Sequence, residues 1–221
     1  MFALFCSSIG NYSVISYWPP ALRLAAGIHF ISIWMKTIKW RITMEEIKRI
    51  KRELKYHGAI LDVYKDYMQI PNGHVAEWDF IGHKGAAAVV PVREDGRILM
   101  VRQYRNALER YTLEIPAGAV NYVEEPKIEC AARELEEETG YRSEDLELLI
   151  NVNTTVAFCN EFIGIYVAKN LIPSSQHLDE DEYLNVEAWE LNDLIDMILR
   201  QEITDSKTMA ALMAYKIKYG K

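Results

Sequence analysis

The chain predicts an α+β fold, and three patterns carry the prediction. Apolar residues recur with a period of two between residues 59 and 116, switch to helical spacing from Pro126 to Gly140, then mix strand-like and helix-like runs up to residue 215. Half of the 221 residues are hydrophobic, enough for a substantial core. Strands and helices sharing one such core point to α+β rather than an all-α or all-β architecture.

Taken in chain order, Met44 to Tyr56 sets Ile47, Ile50 and Leu54 at helical spacing among charges. This predicts a short amphipathic helix, with a charged lead-in strand as the alternative. AILDVYKDYMQI and HVAEWDFI flank Pro71-Asn72-Gly73 and read as strand, tight turn and returning strand, a hairpin that could form a small subdomain. GAAAVVPV and RILMVRQYR flank Glu94-Asp95-Gly96 and read as a second hairpin, its apolar runs buried on both faces. Tyr111 to Pro116 is a further short strand. From Pro126, which suits a first helical turn, Ile128, Ala131, Ala132 and Leu135 form an apolar stripe that Gly140 terminates. LELLINV, FIGIYVAKNL and EYLNVEAWEL read as strands, and Asn192 to Arg200 and Ser206 to Tyr215 as helices.

The formal net charge of −7 argues against a nucleic-acid partner, whose affinity would come from clustered Lys and Arg. A small anion held through metal ions stays open. Cys6, Cys130 and Cys159 share no metal-ligand spacing and cannot all pair, so a reducing, cytoplasmic setting is expected. Cys159 has no nearby base and reads as a small loop or buried residue. Residues 1–43 contain no Asp or Glu and only four basic residues, Arg23, Lys36, Lys39 and Arg41, so every acidic group lies beyond them. Their apolar run, Leu24 to Met35, is too short to span a bilayer, and three of the four basic residues follow it, whereas a signal peptide places its positive charge before the apolar run. Residues 1–43 are therefore expected to be an extension outside the fold, with Met44 as the working start, and a membrane-associating leader as the alternative. No stable membrane insertion is expected.

Glu134, Glu136, Glu137 and Glu138 crowd the end of the Pro126–Gly140 helix. Both their mutual repulsion and the negative end of the helix dipole oppose that placement. A divalent cation removes both penalties. Glu134, Glu137 and Glu138, at i, i+3 and i+4, point to one side, the arrangement a Mg2+ site requires. In the preceding loop, Pro116-Ala117-Gly118 is small enough for a backbone carbonyl to approach the ion.

These residues resemble a known motif. Gly118, Glu125 and Arg133-Glu134-Leu135-Glu136-Glu137-Glu138-Thr139-Gly140-Tyr141 are similar to the Nudix box, G-x5-E-x7-R-E-U-x-E-E-x-G-U, with U apolar. The first half is one residue longer than the pattern, so either Glu125 or Glu124 stands for its first glutamate. Glu125 is favoured, because the loop before Pro126 then absorbs the insertion. VRQYR (101–105), LEIPAG (113–118) and the IxDxKT-like Ile203 to Thr208 extend the resemblance to the ADP-ribose pyrophosphatase branch, over roughly residues 57–215.

That resemblance implies a Nudix α/β/α sandwich with a mixed sheet (85–221), a small N-terminal β subdomain serving dimerisation or substrate (44–84), and a homodimer. It implies Mg2+-dependent, or Mn2+-dependent, cleavage of ADP-ribose or a related nucleoside diphosphate sugar. The alternative is a Nudix-fold sensor that binds without cleaving, although such sensors usually lose the box carboxylates. By the same resemblance Ala117 (through its carbonyl), Glu134, Glu137 and Glu138 hold metal, Arg133 orients a box glutamate, and Arg105 contacts phosphate. Glu182, beside Glu180 and Asp181, is the expected general base. Glu161 is expected to touch metal or substrate. Trp78 either stacks on a purine or packs in the core or a dimer contact. ADP-ribose enzymes often carry a proline near the position of Thr154 to Ala157, which has none, so the base and sugar stay open.

Overall fold

The computed structural model describes residues 46–180 and 182–220. The expectations for residues 1–43 and for Asp181 lie outside the described residues.

Twelve strands and three α-helices follow one another among the described residues. β1 (Lys48–His57), β2 (Asp62–Gln69) and β3 (Val75–Gly82) form an antiparallel sheet. The β2–β3 turn is the expected one: Gly73 sits at φ +84° and donates its N–H to Ile70 O at 2.9 Å, while the Asn72 side chain accepts from His74 N. β1 replaces the expected helix. It pairs with β2 along its length, and Arg52 donates two hydrogen bonds to Asp66 across the pair, each 2.6 Å. Register shifts between Arg49 and Lys51 and between Leu54 and Tyr56 interrupt the period of two. A bulge adds a residue, so spacings of three and four arise in a strand and imitate a helix.

β4 (Ala86–Pro91) and β5 (Ile98–Arg105) also depart from expectation. A tight turn joins them, with Gly96 at φ +85°, yet they share only a bridge between Val92 and Ile98. β4 already has both edges filled, by antiparallel β7 (Ala117–Ala119) and parallel β10 (Phe162–Lys169). β9 (Asp145–Asn153) completes that mixed sheet, in the order β7-β4-β10-β9. β5 instead lies between β6 (Arg110–Glu114) and β12 (Leu184–Trp189) in an antiparallel sheet, and β8 (Tyr141–Arg142) pairs with β11 (Ile172–Pro173).

The pleat of β4 sorts the core into layers. Ala87 and Val89 face α1 (Lys127–Thr139), meeting Cys130, Ala131 and Leu135. Ala86, Ala88 and Val90 face the other way, with Ile163, Ile165 and Val167, toward Ile98 and Met100 of β5 and the apolar sides of α2 (Leu191–Leu199) and α3 (Ser206–Tyr219). This is the expected α/β/α sandwich with a mixed sheet. One correction concerns α1. Its buried side is Cys130, Ala131, Glu134, Leu135, Glu138 and Thr139, while Ile128 is exposed and Ala132 only partly covered. The carboxylate face and the inner face are therefore partly the same face.

Candidate metal and phosphate site

α1 is held at both ends. Pro126 O receives the N–H groups of Glu129 and Cys130, and Gly140, at φ +71°, closes the last turn with its N–H on Glu136 O. Between these ends Glu134 and Glu138 stand one turn apart and point at β7. Gly118 of that strand has no Cβ, and one placed there would lie 2.1 Å from Glu134 Oε1. Glycine is thus a steric requirement of Glu134's position. Glu138 is almost wholly buried, and its Oε2 accepts the Ala117 N–H at 3.0 Å.

Arg133 ties the cluster together. Its Nη1 donates to Glu134 Oε1 at 2.6 Å and to Glu137 Oε2 at 2.7 Å, and its Nη2 to Ala119 O at 3.0 Å. Its Nε lies 3.6 Å from Glu125 Oε1, buried and without a hydrogen-bond partner among the described residues. Glu125 is buried and accepts the Asn121 N–H at 2.6 Å, whereas Glu124 is exposed, so the geometry favours Glu125 as the first box glutamate.

One arginine does not neutralise this much buried charge. Burial, with the Glu137 and Glu182 carboxylates nearby, pushes Glu134 up to about 7 despite Arg133. Glu138 is raised well above the usual carboxylate range by burial and then by Glu134 and Glu182. Glu182, half-buried in the loop before β12 with its N–H on Asp179 O at 3.0 Å, is close enough to act electrostatically on both glutamates.

Beside this cluster is a cleft of about 300 Å³ whose lining includes Ala117, Gly118, Arg105, Lys207, Glu161 and His83. Arg105 donates twice to Glu114, at 2.8 and 2.7 Å, and Lys207 bonds Glu114 and, at 2.9 Å, Asp205. Burial alone would raise Glu114, but Arg105, Lys207 and Thr112 together bring it down to about 2. Glu161 accepts from the Thr154 hydroxyl and lies 3.6 Å from His83 Nε2. Trp78 is elsewhere. It is 46% exposed on β3 and lines a separate cavity of about 680 Å³ with Val63, Ile81 and Phe158.

The structure thus gathers Glu134, Glu137, Glu138, Arg133, Ala117 and Glu182 into one cluster, with Arg105 and Glu161 at its edge. It does not bring Trp78 there. Glu114 and His83 are not among the residues that the sequence singles out, and Lys207 enters there only within the Ile203 to Thr208 motif. Glu114 had a usable signal, a lone charge between Leu113 and Ile115 in an apolar strand, where burial demands a partner.

The NUDIX domain family model matches residues 82–212, more than half of the chain. The chain belongs to the Nudix family. A methanol dehydrogenase activator from Bacillus methanolicus is 38% identical over 175 residues, which is 78% of this chain and 94% of that protein. An ADP-ribose pyrophosphatase from Bacillus subtilis (strain 168) is 36% identical over the same length and with the same coverage. A crystal structure of an ADP compounds hydrolase superposes with a TM-score of 0.71 at 22% identity, covering 80% of this chain and 98% of that one, and so shares the Nudix fold.

Nudix hydrolases generally depend on a divalent metal. Among the described residues no three Asp, Glu, His or Cys groups form a ready-made cage, and Arg133 bonds the Glu134 and Glu137 carboxylates alike. The residues nevertheless fit a hard cation that takes one or two carboxylates and fills its remaining positions with water and phosphate oxygen. The donors are all oxygen, the two innermost carboxylates are under-neutralised, and the missing Cβ of Gly118 lets the Glu134 carboxylate lie against β7. Among the described residues no helix is long and apolar enough to cross a membrane.

Proposed function

We propose that this Nudix hydrolase cleaves the diphosphate of ADP-ribose or a related nucleoside diphosphate sugar with Mg2+, giving a nucleoside monophosphate and a sugar phosphate. The observation that carries the reading is the buried, under-neutralised pair Glu134 and Glu138 lying next to a cleft lined by Arg105 and Lys207. Carboxylates and cations set side by side suit a ligand that is anionic and metal-bound. The ADP-ribose pyrophosphatase name of the Bacillus subtilis relative supports the substrate class.

In this reading Glu134 and Glu138 hold the metal, with Glu137 and the Ala117 carbonyl completing the oxygen set. Bound there, Mg2+ supplies charge neutralisation at the phosphoryl oxygens and acidifies water. Arg133 keeps Glu134 and Glu137 aimed at the site. Arg105, held in place by Glu114, presents its remaining N–H groups to a phosphate, and Glu161, in the lining of the same cleft, contacts substrate. Glu182 takes the proton of the attacking water as the new P–O bond forms and the anhydride P–O bond breaks. Trp78 serves the neighbouring subunit of a homodimer, either by packing or by stacking on the base, with residues 44–84 as the subdomain that pairs the copies. The protein acts on a small molecule in the cytoplasm.

The test is a panel of nucleoside diphosphate derivatives incubated with Mg2+ and resolved by chromatography, repeated with Glu138→Gln. Cleavage of ADP-ribose that disappears in the variant is expected. Survival of every derivative, with binding retained, would instead support a sensor. Size-exclusion chromatography with light scattering should give twice the chain mass, and a monomer would remove the dimer proposal.

A further inference from the structure

The C-terminal end of α1 carries three carbonyl groups that the helix itself does not satisfy, those of Glu137, Glu138 and Gly140, and one stretch far away in sequence meets them. Ser174 N donates to Gly140 O at 2.7 Å, the Gln176 side-chain Nε2 to Glu138 O at 2.6 Å, and His177 N to Glu137 O at 3.0 Å. The Ser174 hydroxyl also bonds the Glu136 carboxylate. Terminal carbonyls of a helix need outside donors, and water would serve an exposed end equally well. Here the donors come instead from the strand-to-strand connection that runs on into Glu182. Only five residues separate Gln176 from Glu182, whose N–H bonds Asp179 O at 3.0 Å and whose carboxylate acts electrostatically on Glu134 and Glu138. The carbonyl that Gln176 holds belongs to Glu138 itself. One side chain therefore couples the backbone of the innermost carboxylate to the segment carrying the opposing one.

We propose that Gln176 is a positioning residue for hydrolysis, fastening the Glu182 segment to the α1 carboxylates so that base and metal site keep a constant separation. The proposal rests on Glu182 being the base. Gln176 is exposed, so it contributes little to the core, and its bond is the only side-chain link from residues 174–182 to the backbone of α1 among the described residues. Misplacing a catalytic group by about 1 Å can cost on the order of 100-fold in rate.

The experiment uses the full chain, Mg2+ and ADP-ribose. Gln176→Leu, which keeps the volume but loses the donor, should lower kcat at least ~10-fold while KM and half-saturating Mg2+ stay within about twofold. Gln176→Lys, which restores an N–H donor of similar reach, should recover most of the rate. In a Glu182→Gln background Gln176→Leu should add less than about a twofold loss, because its effect passes through Glu182. Undiminished kcat in Gln176→Leu overturns the proposal, as does an equal further loss in the Glu182→Gln background. A rate loss that tracks a lowered Tm and is not recovered by Gln176→Lys overturns it also. Full turnover by Glu182→Gln alone would remove the base assignment and this inference together, whereas a slow Glu182→Gln with a normal Gln176→Leu removes only the fastening.

Discussion

Replacing Glu134 with Gln should stabilise the metal-free protein, against the usual expectation for a buried, hydrogen-bonded side chain. Burial and neighbouring carboxylates raise Glu134 from 4.5 to about 7. A carboxyl with a raised folded-state pKa adds stability at low pH that is lost as pH rises through the folded value. Above pH 7 the folded protein must keep this group ionised, at a cost of about 3 kcal/mol at ~1.4 kcal/mol per pKa unit. Glu134→Gln removes that cost while leaving the Gly118 contact nearly unchanged in shape. In EDTA at pH 8 the variant should therefore melt about 6–12 °C above wild type for a chain of this size. Linkage makes the advantage shrink to about 1 kcal/mol at pH 5.5 and vanish below the unfolded-state value near 4.5. With Mg2+ at about 100 times its Kd, wild type should recover ~2.7 kcal/mol that the variant does not. Differential scanning fluorimetry across this pH range, with and without Mg2+, reads all three effects. A variant less stable than wild type at pH 8 in EDTA, with a gap that does not change on acidification, would refute the account of α1 as an under-neutralised ridge.

The remaining predictions bear on other parts of the site. Glu182→Gln should lower kcat about 100- to 1,000-fold with KM within about threefold, as removal of a general base does, and unchanged turnover would exclude it. Gly118→Ala should abolish Mg2+-dependent activity by displacing Glu134, since its Cβ would stand 2.1 Å from Oε1, and full activity would show that β7 yields easily. Glu114 behaves oppositely to Glu134. Its value of about 2 means that it contributes about 3 kcal/mol at neutral pH, present above 4.5 and lost as pH falls toward 2. Glu114→Gln should accordingly be destabilised at pH 7 by about 3 kcal/mol in urea melts and converge with wild type near pH 2; a constant difference would show that its ion pairs are not the cause.

The local sequence carries much of this molecule. Proline, then glycine at φ +71°, delimits α1, and the glutamate spacing puts Glu134 and Glu138 on one face, because both depend only on helical geometry over a dozen residues. The Asn72-Gly73 turn and the apolar strands of the mixed sheet were likewise legible, since turn chemistry and a period of two are local. What the chain concealed depends on pairing between distant segments. β1 could imitate a helix because its bulges exist only against β2. β4 and β5 separate because β10, some seventy residues later, takes the edge that a hairpin would have used. The sequence alone thus specified a ridge of carboxylates and the chemistry it suits. Only the tertiary structure decided that Glu134 lies inward against Gly118 and Glu138 against Ala117, that Glu114 braces Arg105 and Lys207, and that Ser174, Gln176 and His177 bond the end of the helix, since burial and electrostatic coupling follow from what packs against each group.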